Sequence, residues 1–521
     1  MTATELPQTT IATKLLRLVV VGNGMAGARA VEEVMSRNGG ELFDITVFGD
    51  EPYGNYNRIM LSGLLSGEHE ERDIILNDVD WYTERGIRLH TGTRIARIDR
   101  ESRQVYSQDG ARFPYDVLVI ATGSRPFMPS VDGLRRADGA LRDGVFGFRT
   151  VEDTRDMMRT AREHRRAAVI GGGLLGLEAA RGLMAHGLRV DLLHAAEWLM
   201  NQQLDEIAGS LLRRQIEELG ISVHCSARTE EILGASRVEG VRLADGTVIA
   251  CDMVVVAAGI RSNNELATGC GLTVDRAIVV DDQLRTVDDE NIYAVGECAQ
   301  HRGQVYGLVA PLWEQARVLA AHLTGARSGT TYAGSRTATK LKVAGVDVAT
   351  MGVKAPELES DEHVVFSEPR RGVLKSVVIR DDRLIGATLV GDVGRAASLI
   401  QAFDRGLPLP ADRARLLFDL RTASAEPNAE DLDDEAQVCN CNGVSKGTLV
   451  RTVQDGARSA AAVMDRTRAG KGCGSCKGLV NQIVDGAVAS SPRSCSEAYI
   501  KDIGVLLLIG RLLRHYPSDQ P

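Results

Sequence analysis

Residues 18–27 read LVVVGNGMAG. Four apolar residues suit a buried strand, and Gly22-Asn23-Gly24-Met25-Ala26-Gly27 turns the chain into a helical stretch reaching about residue 36. Each glycine has a separate task. Gly22 permits the tight turn, Gly24 lets a pyrophosphate approach the backbone, and Gly27 lets helix and strand pack closely. The helix start offers unpaired N–H groups and positive potential to phosphates, with Met25 and Ala26 beside them. A second strand at 44–48 makes a parallel strand–helix–strand unit. It ends in Gly49, Asp50 and Glu51, and either acid suits a ribose hydroxyl.

The same pattern returns later in the chain. A strand at 167–170 leads into GGGLLG, residues 171–176, then a helix at 177–185 and a strand at 189–193. Gly171, Gly173, Leu174, Leu175 and Gly176 form a second candidate dinucleotide cradle. His194 ends its second strand, where an NAD-preferring site would place an acid. No arginine stands there for a 2′-phosphate, so the choice between NADH and NADPH stays open. Two further strands, Val117–Ile120 and Met253–Val256, end in Ala121-Thr122-Gly123 and Ala257-Ala258-Gly259. Small residues there let backbones cross close to a dinucleotide. Residues 286–297, TVDDENIYAVGE, deliver Gly296 and Glu297 to a turn where a carboxylate would accept from a ribityl hydroxyl.

The 521 residues exceed one hydrophobic core, so several domains are expected. A net charge of −9 argues against nucleic acid as a partner. No apolar run approaches the length of a membrane span, and the N-terminus lacks the features of a signal peptide, which points to the cytoplasm. From about 332 to 393 alternating runs, 340–348 and 374–390, read as antiparallel strands with a turn at Asp381-Asp382. Residues 425–437 are rich in Asp, Glu, Pro and Asn and read as a solvated linker. Of nine cysteines, four cluster late as Cys439-Asn440-Cys441 and Cys473-Gly474-Ser475-Cys476. Nearby glycines permit a tight loop around a metal centre. Four thiolates suit a [2Fe–2S] cluster or a structural zinc. Cys225, Cys251, Cys270, Cys298 and Cys495 read as ordinary core or surface thiols.

Residues from about 17 to 410 resemble the two-dinucleotide flavoprotein reductases. GDEPYGNYNRIMLSGLLSG, residues 49–67, and GLVAPLWEQARVLA, residues 307–320, resemble the flavoprotein part of the assimilatory NAD(P)H nitrite reductase large subunit. They also resemble the related electron-transfer subunits of assimilatory nitrate reductase. VCNCNGVSKGTLV and GKGCGSCKGLV, residues 438–450 and 470–480, resemble the bacterioferritin-associated-ferredoxin type of [2Fe–2S] domain. These likenesses imply an α/β protein with two Rossmann-like folds, a small α+β domain and a [2Fe–2S] domain. The first fold, 17–150 with 260–328, would hold FAD, and the inserted 151–259 would hold NAD(P)H. The α+β domain would span 329–412, and the cluster domain 438–490 would precede a tail at 491–521.

By the same likeness Arg58 lies against FAD, Glu297 bonds the ribityl chain, and Glu178 sits near the nicotinamide. Gly259 closes the NAD(P)H side. Cys439, Cys441, Cys473 and Cys476 ligate the cluster. Disulfide reductases of this fold carry a Cys-x4-Cys pair on an early helix, but residues 50–67 contain no cysteine. Electrons are therefore expected to leave FAD one at a time through the cluster. The sequence ends 45 residues after Cys476, short of siroheme domains. The expected recipient is thus a separate nitrate or nitrite reductase polypeptide, and a homodimer is compatible with the sequence. A stand-alone ferredoxin or rubredoxin reductase and a flavin/iron–sulfur redox sensor are the competing readings.

Overall fold

Runs of Val, Ile and Leu too apolar for a solvated face must be covered on both sides, and parallel sheets provide that environment. The computed structural model describes residues 14–325, 329–343, 345–406, 408–418, 432–439, 442–472, 474 and 476–490. The chain divides into a larger unit up to residue 426 and a smaller one from residue 427.

In the larger unit, Leu16–Val21 lies between Phe43–Phe48 and Val117–Ile120, parallel to both. Val19 pairs with Thr46 on one side and Leu118 on the other. Asp289–Ala294 then pairs in parallel with Val117–Ile120, so the strand that delivers Gly296 and Glu297 is interior to an eight-stranded sheet. The helix Met25–Met35 buries Ala26, Ala30, Val31 and Val34, which share one face, against this sheet.

A second sheet is wholly parallel, in the order Val145–Gly147, Met253–Val256, Arg166–Ile170, Arg189–Leu193, Ser222–His224. Its helix, Leu174–Ala185, begins three residues earlier than the sequence pattern indicates. Leu174 and Leu175 are already helical, and Gly176 is therefore inside the helix.

The two folds are joined by an antiparallel ribbon in which Ser124–Pro126 pairs with Ile260–Ser262. The chain leaves the first fold and re-enters it side by side. Each fold also carries a three-stranded antiparallel meander, Ile95 to Pro114 and Thr229 to Ala250, that the sequence reading did not separate.

The third region is a five-stranded antiparallel sheet covered by the helix Ala396–Arg405. The alternating run at 340–348 is two strands, Ala338–Val343 and Val346–Gly352. The turn at Asp381-Asp382 is present, both residues having positive φ (49° and 56°). This is the left-handed geometry of a two-residue hairpin loop. The region packs on the second fold, with Gln215 Nε2 donating to Gly372 O at 2.7 Å and Lys354 Nζ to Asn201 O at 2.6 Å.

The smaller unit joins a hairpin, Gln437–Cys439 with Val444–Ser445, to helices Lys446–Gln454, Ala460–Thr467 and Lys477–Ser490. Residues 432–437, read from composition as linker, belong to this unit. Leu432 packs against its core, Lys446 Nζ donates to Leu432 O at 2.6 Å, and Gly447 N donates to Asp434 O at 2.7 Å. The acidic residues Asp433, Asp434 and Glu435 there are exposed and lie in a turn of this unit. The rest of the predicted linker, 425–431, and the tail, 491–521, lie outside the described residues. No helix among the described residues is long and apolar enough to cross a membrane.

Candidate functional site

At the first glycine turn Gly22 has φ +115°, and a Cβ on it would lie 2.2 Å from Ala121 O. A Cβ on Gly27 would lie 1.9 Å from Gly22 O. Both positions are closed to any side chain. At Gly24 only Arg58 Nε, 4.0 Å away, comes near a Cβ, so this face of the turn opens into space. Gly24 caps the helix with no side-chain hydrogen bond, and the first turn has no acid. By contrast, the helix Val151–Glu163 starts in a capping box of Thr150 and Asp153. The uncapped N–H groups beside an open glycine face fit a pyrophosphate.

Around this turn the loop 51–58 and the turn 296–297 converge. Glu297 Oε2 accepts from Ser124 Oγ at 2.5 Å and from the Arg149 guanidinium, while Glu297 O accepts from Ser262 Oγ at 2.6 Å. Arg58 Nη1 donates to Arg149 O at 2.8 Å, and its Nη2 pairs with Glu51 Oε1. Glu51 Oε2 accepts from Tyr56 OH at 2.6 Å. Arg58, Glu51 and Glu297 are thus brought together through Arg149, which the sequence reading missed. Arg149 stands 148 residues from Glu297, and no local pattern marks it. Asp50, the other ribose candidate, is exposed beside Arg94.

Among the buried nitrogens here with no protein partner are Asn23 Nδ2, Asn57 Nδ2, Arg149 Nε and Gln315 Nε2. Asn23 lies in the turn, and Gln315 accepts from Gly296 N at 2.8 Å. Orphaned donors beside a glycine cradle match the acceptor-rich phosphate and ribityl parts of a flavin dinucleotide. Thr122 and Gly123 close the site by exchanging hydrogen bonds with Asn263 (2.7, 2.9 and 2.9 Å). A Cβ on Gly296 would press to 2.7 Å on the Ala26 Cβ.

The second turn repeats this geometry. Gly171 has φ +124°, its Cβ would lie 2.3 Å from Ala257 O, and that of Gly176 would lie 1.8 Å from Gly171 O. Gly173 faces open space and caps its helix with no side-chain bond. Leu174, Glu178 and Arg181 share one half-buried helix face, Gly259 has φ +117°, and His194 Nδ1 accepts from Gly172 N at 3.0 Å.

Cys298, next to Glu297, donates its thiol to Val295 O at 3.3 Å and Ile120 O at 3.4 Å, and burial pushes its pKa up. Burial likewise pushes the Cys251 thiol up to about 12 and raises Cys225 and Cys270. Cys251 and Cys298 are core thiols and Cys225 and Cys270 partly buried ones, and all four are unsuited to nucleophilic work. Cys495 lies outside the described residues.

In the smaller unit Cys439 and Cys476 are buried in one core cluster. Asn442 Nδ2 reaches to 3.9 Å from Cys439 Sγ while donating to Arg468 O at 2.7 Å. Buried sulfurs with an N–H donor at hand suit an iron–sulfur centre, whose sulfurs take such bonds. Cys441 and Cys473 lie outside the described residues. A cavity of about 670 Å³, lined by Glu33, Arg37, Glu314 and Arg317, opens at the far end of the first helix from the glycine turn and is not part of this site.

Comparison with known proteins agrees with these features. Residues 16–317 match the pyridine nucleotide-disulphide oxidoreductase model, 338–407 the rubredoxin NAD+ reductase C-terminal domain, and 437–485 the BFD-like [2Fe-2S] binding domain. The chain is 42% identical over 476 residues to a nitrite reductase [NAD(P)H] of Bacillus subtilis, covering 91% of this chain and 58% of that protein. It is 38% identical over 491 residues to the assimilatory nitrate reductase electron transfer subunit of the same organism, covering 93% and 62%. It therefore spans about three-fifths of the length of these relatives. Among solved structures, a ferredoxin reductase of Rhodopseudomonas palustris superposes with a TM-score of 0.65 at 27% identity, covering 72% of this chain and 91% of that one. The matched families imply FAD, NAD(P)H and a [2Fe–2S] cluster as cofactors, and the chain belongs to the pyridine nucleotide-disulphide oxidoreductase family.

Proposed function

We propose that this chain oxidises NAD(P)H and passes the electrons to a partner assimilatory nitrate or nitrite reductase in the cytoplasm. The observation that carries the reading is the union, in one chain, of two open glycine cradles with a separate buried-thiol unit. FAD accepts a hydride and a [2Fe–2S] cluster passes electrons singly, so the pair joins a two-electron donor to a one-electron acceptor. The protein's own part is placement. Gly22, Gly24 and Gly27 shape one cradle, and Gly171, Gly173 and Gly176 the other. Glu297, held by Arg149 and Ser124, presents its carboxylate toward the flavin side, with Arg58 across from it. Leu174 and Glu178 line the nicotinamide side, where close packing orients the donor and excludes water. Cys439, Cys441, Cys473 and Cys476 supply the thiolates. None of the described cysteines is joined in a disulfide, which supports a reducing compartment.

The test is anaerobic reduction of the holoprotein by NADH, followed by mixing with a nitrate reductase. Cys476→Ser should keep flavin bleaching by NADH and lose reduction of the acceptor. Full acceptor reduction without a cluster would overturn the route. The match of 338–407 to a rubredoxin reductase domain favours a second reading, electron delivery to a small ferredoxin or rubredoxin. Faster reduction of those carriers than of nitrate reductase would select it.

A further inference from the structure

In the smaller unit one buried side chain reaches both thiol-bearing segments. Asn442 lies in the loop of the hairpin Gln437–Cys439 with Val444–Ser445 and is only 9% exposed, so its amide must find partners inside the protein. Nδ2 donates to Arg468 O at 2.7 Å. A backbone carbonyl only accepts, so this bond fixes which end of the amide is nitrogen. The same nitrogen lies 3.9 Å from Cys439 Sγ, in a long N–H···S bond. An amide nitrogen carries two hydrogens, one for each of these acceptors.

Arg468 is held in place from the other side. It caps the helix Ala460–Thr467 at φ +61°, and its carbonyl also accepts from Lys471 N at 3.2 Å. Asn442 therefore ties the hairpin of the first thiol pair to the turn that precedes the second pair in the chain. A neutral thiol is a weak acceptor, whereas a thiolate draws an N–H donor closer and more strongly. Adding an electron to a thiolate-held centre makes its sulfurs more negative, so a donor at the sulfur favours the reduced state. Gln437, in the same hairpin, offers a contrast: its Nε2 donates at 3.2 Å to Cys439 O, the carbonyl and not the sulfur.

Resting on the reading of Cys439 as a cluster thiolate, we propose that Asn442 raises the reduction potential of this unit by donating its second amide hydrogen to the Cys439 sulfur. Asn442 is a positioning residue and not a ligand. Arg468 O holds the amide in register, and the amide in turn biases the thiolate toward accepting an electron.

The experiment is a redox titration of the anaerobically purified holoprotein, followed by the low-temperature EPR signal of the reduced cluster. Asn442→Leu is close in volume and removes the donor. It should retain iron and shift the reduction equilibrium at least about threefold toward the oxidised state, which is about 28 mV for one electron at about 59 mV per tenfold. Asn442→Ala removes the donor without adding bulk and should give the same shift, so the outcome does not depend on the fit of a leucine. Gln437→Leu loosens the same hairpin without touching the sulfur, and should leave the equilibrium within about twofold of the parent. A shift below about threefold in the iron-loaded Asn442 variants would overturn the inference. An equal shift in Gln437→Leu would overturn it too, by tracing the effect to the hairpin. A parent protein that binds no iron would instead remove the function proposed above.

Discussion

The two dinucleotide folds are near copies in backbone and unlike in side chains. Gly22 N donates to Phe48 O at 2.8 Å and Gly171 N to Leu193 O at 2.8 Å, while Ala121 N and Ala257 N bond Val21 O and Ile170 O at the same distance. The glycines clash with equivalent carbonyls. Around the first turn, however, stand Arg58, Arg149, Glu51 and Glu297 in one linked set, while at the second His194 lies on the turn and Glu178 and Arg181 share a face of its helix. Backbone geometry is thus common to the two folds, and the density of charged side chains around the turn is what distinguishes them.

The strongest way to break this comparison is to close each turn. Gly22→Ala should abolish flavin binding, since a Cβ 2.2 Å from Ala121 O costs several kcal/mol (about 3 or more) in strain and displaced backbone. Gly171→Ala carries the same clash at 2.3 Å but should retain flavin and lose reduction by NADH. The flavin-to-protein absorbance ratio separates the two, and equal flavin loss would show that the folds are not independent in role.

Next in size are the carboxylates. Glu297→Ala strands Arg149 beside its buried Nε and should weaken FAD by about 2–3 kcal/mol in a reconstitution titration. Glu178→Gln should leave flavin content unchanged and slow flavin reduction about tenfold in stopped flow. If Glu178→Gln instead released flavin, the assignment of the second cradle would be wrong.

Gly24→Ala and Gly173→Ala add a methyl group into open space, with Arg58 Nε at 4.0 Å the nearest atom at Gly24 and no protein atom within 4 Å at Gly173. Each should fold normally and weaken only its own ligand, by about 1 kcal/mol.

The smallest effect lies at the starts of the sheets. Arg17 holds Asp116 through bonds of 2.7 and 2.9 Å, whereas the corresponding Asp252 only accepts from Arg165 N at 3.4 Å. The hydrogen bonds from Arg17 lower the Asp116 pKa to about 2. Its stabilising contribution is therefore complete above the unfolded carboxylate pKa and fades as pH falls toward 2. Both groups are partly exposed, so Asp116→Asn should cost no more than about 1 kcal/mol near neutral pH and nothing below pH ~2. Asp252→Asn should cost less, as judged by Tm across pH.

What the sequence revealed follows the range of the physics involved. The glycine turns, the small residues ending Val117–Ile120 and Met253–Val256, and the hairpin at Asp381-Asp382 are local demands on φ and on space, and they are written in adjacent residues. The two cradles and the thiolate unit were legible for that reason. Arg149 was not, because its meeting with Glu297 depends on the ribbon Ser124–Pro126 with Ile260–Ser262 bringing distant segments together. Composition showed that the acids at 433–435 are exposed but not that 432–437 joins the smaller unit, because the contacts to Leu432 O and Asp434 O come from Lys446 and Gly447 farther along the chain. The start of the helix at Leu174 was hidden for a related cause: Gly176 reads as a loop residue, yet it is helical because only a glycine can pack on Gly171 O.

The side-by-side ribbon also fixes an order of birth. The second sheet is complete in the nascent chain once Met253–Val256 emerges, but the first sheet still awaits Ile278–Val280 and Asp289–Ala294. At roughly 5–20 residues per second that wait, counted from Val117–Ile120, lasts about 9–35 seconds on the ribosome. The nucleotide fold encoded first is thus the later of the two to close, and any ligand at its glycine turn meets a complete sheet only after the inserted fold has emerged.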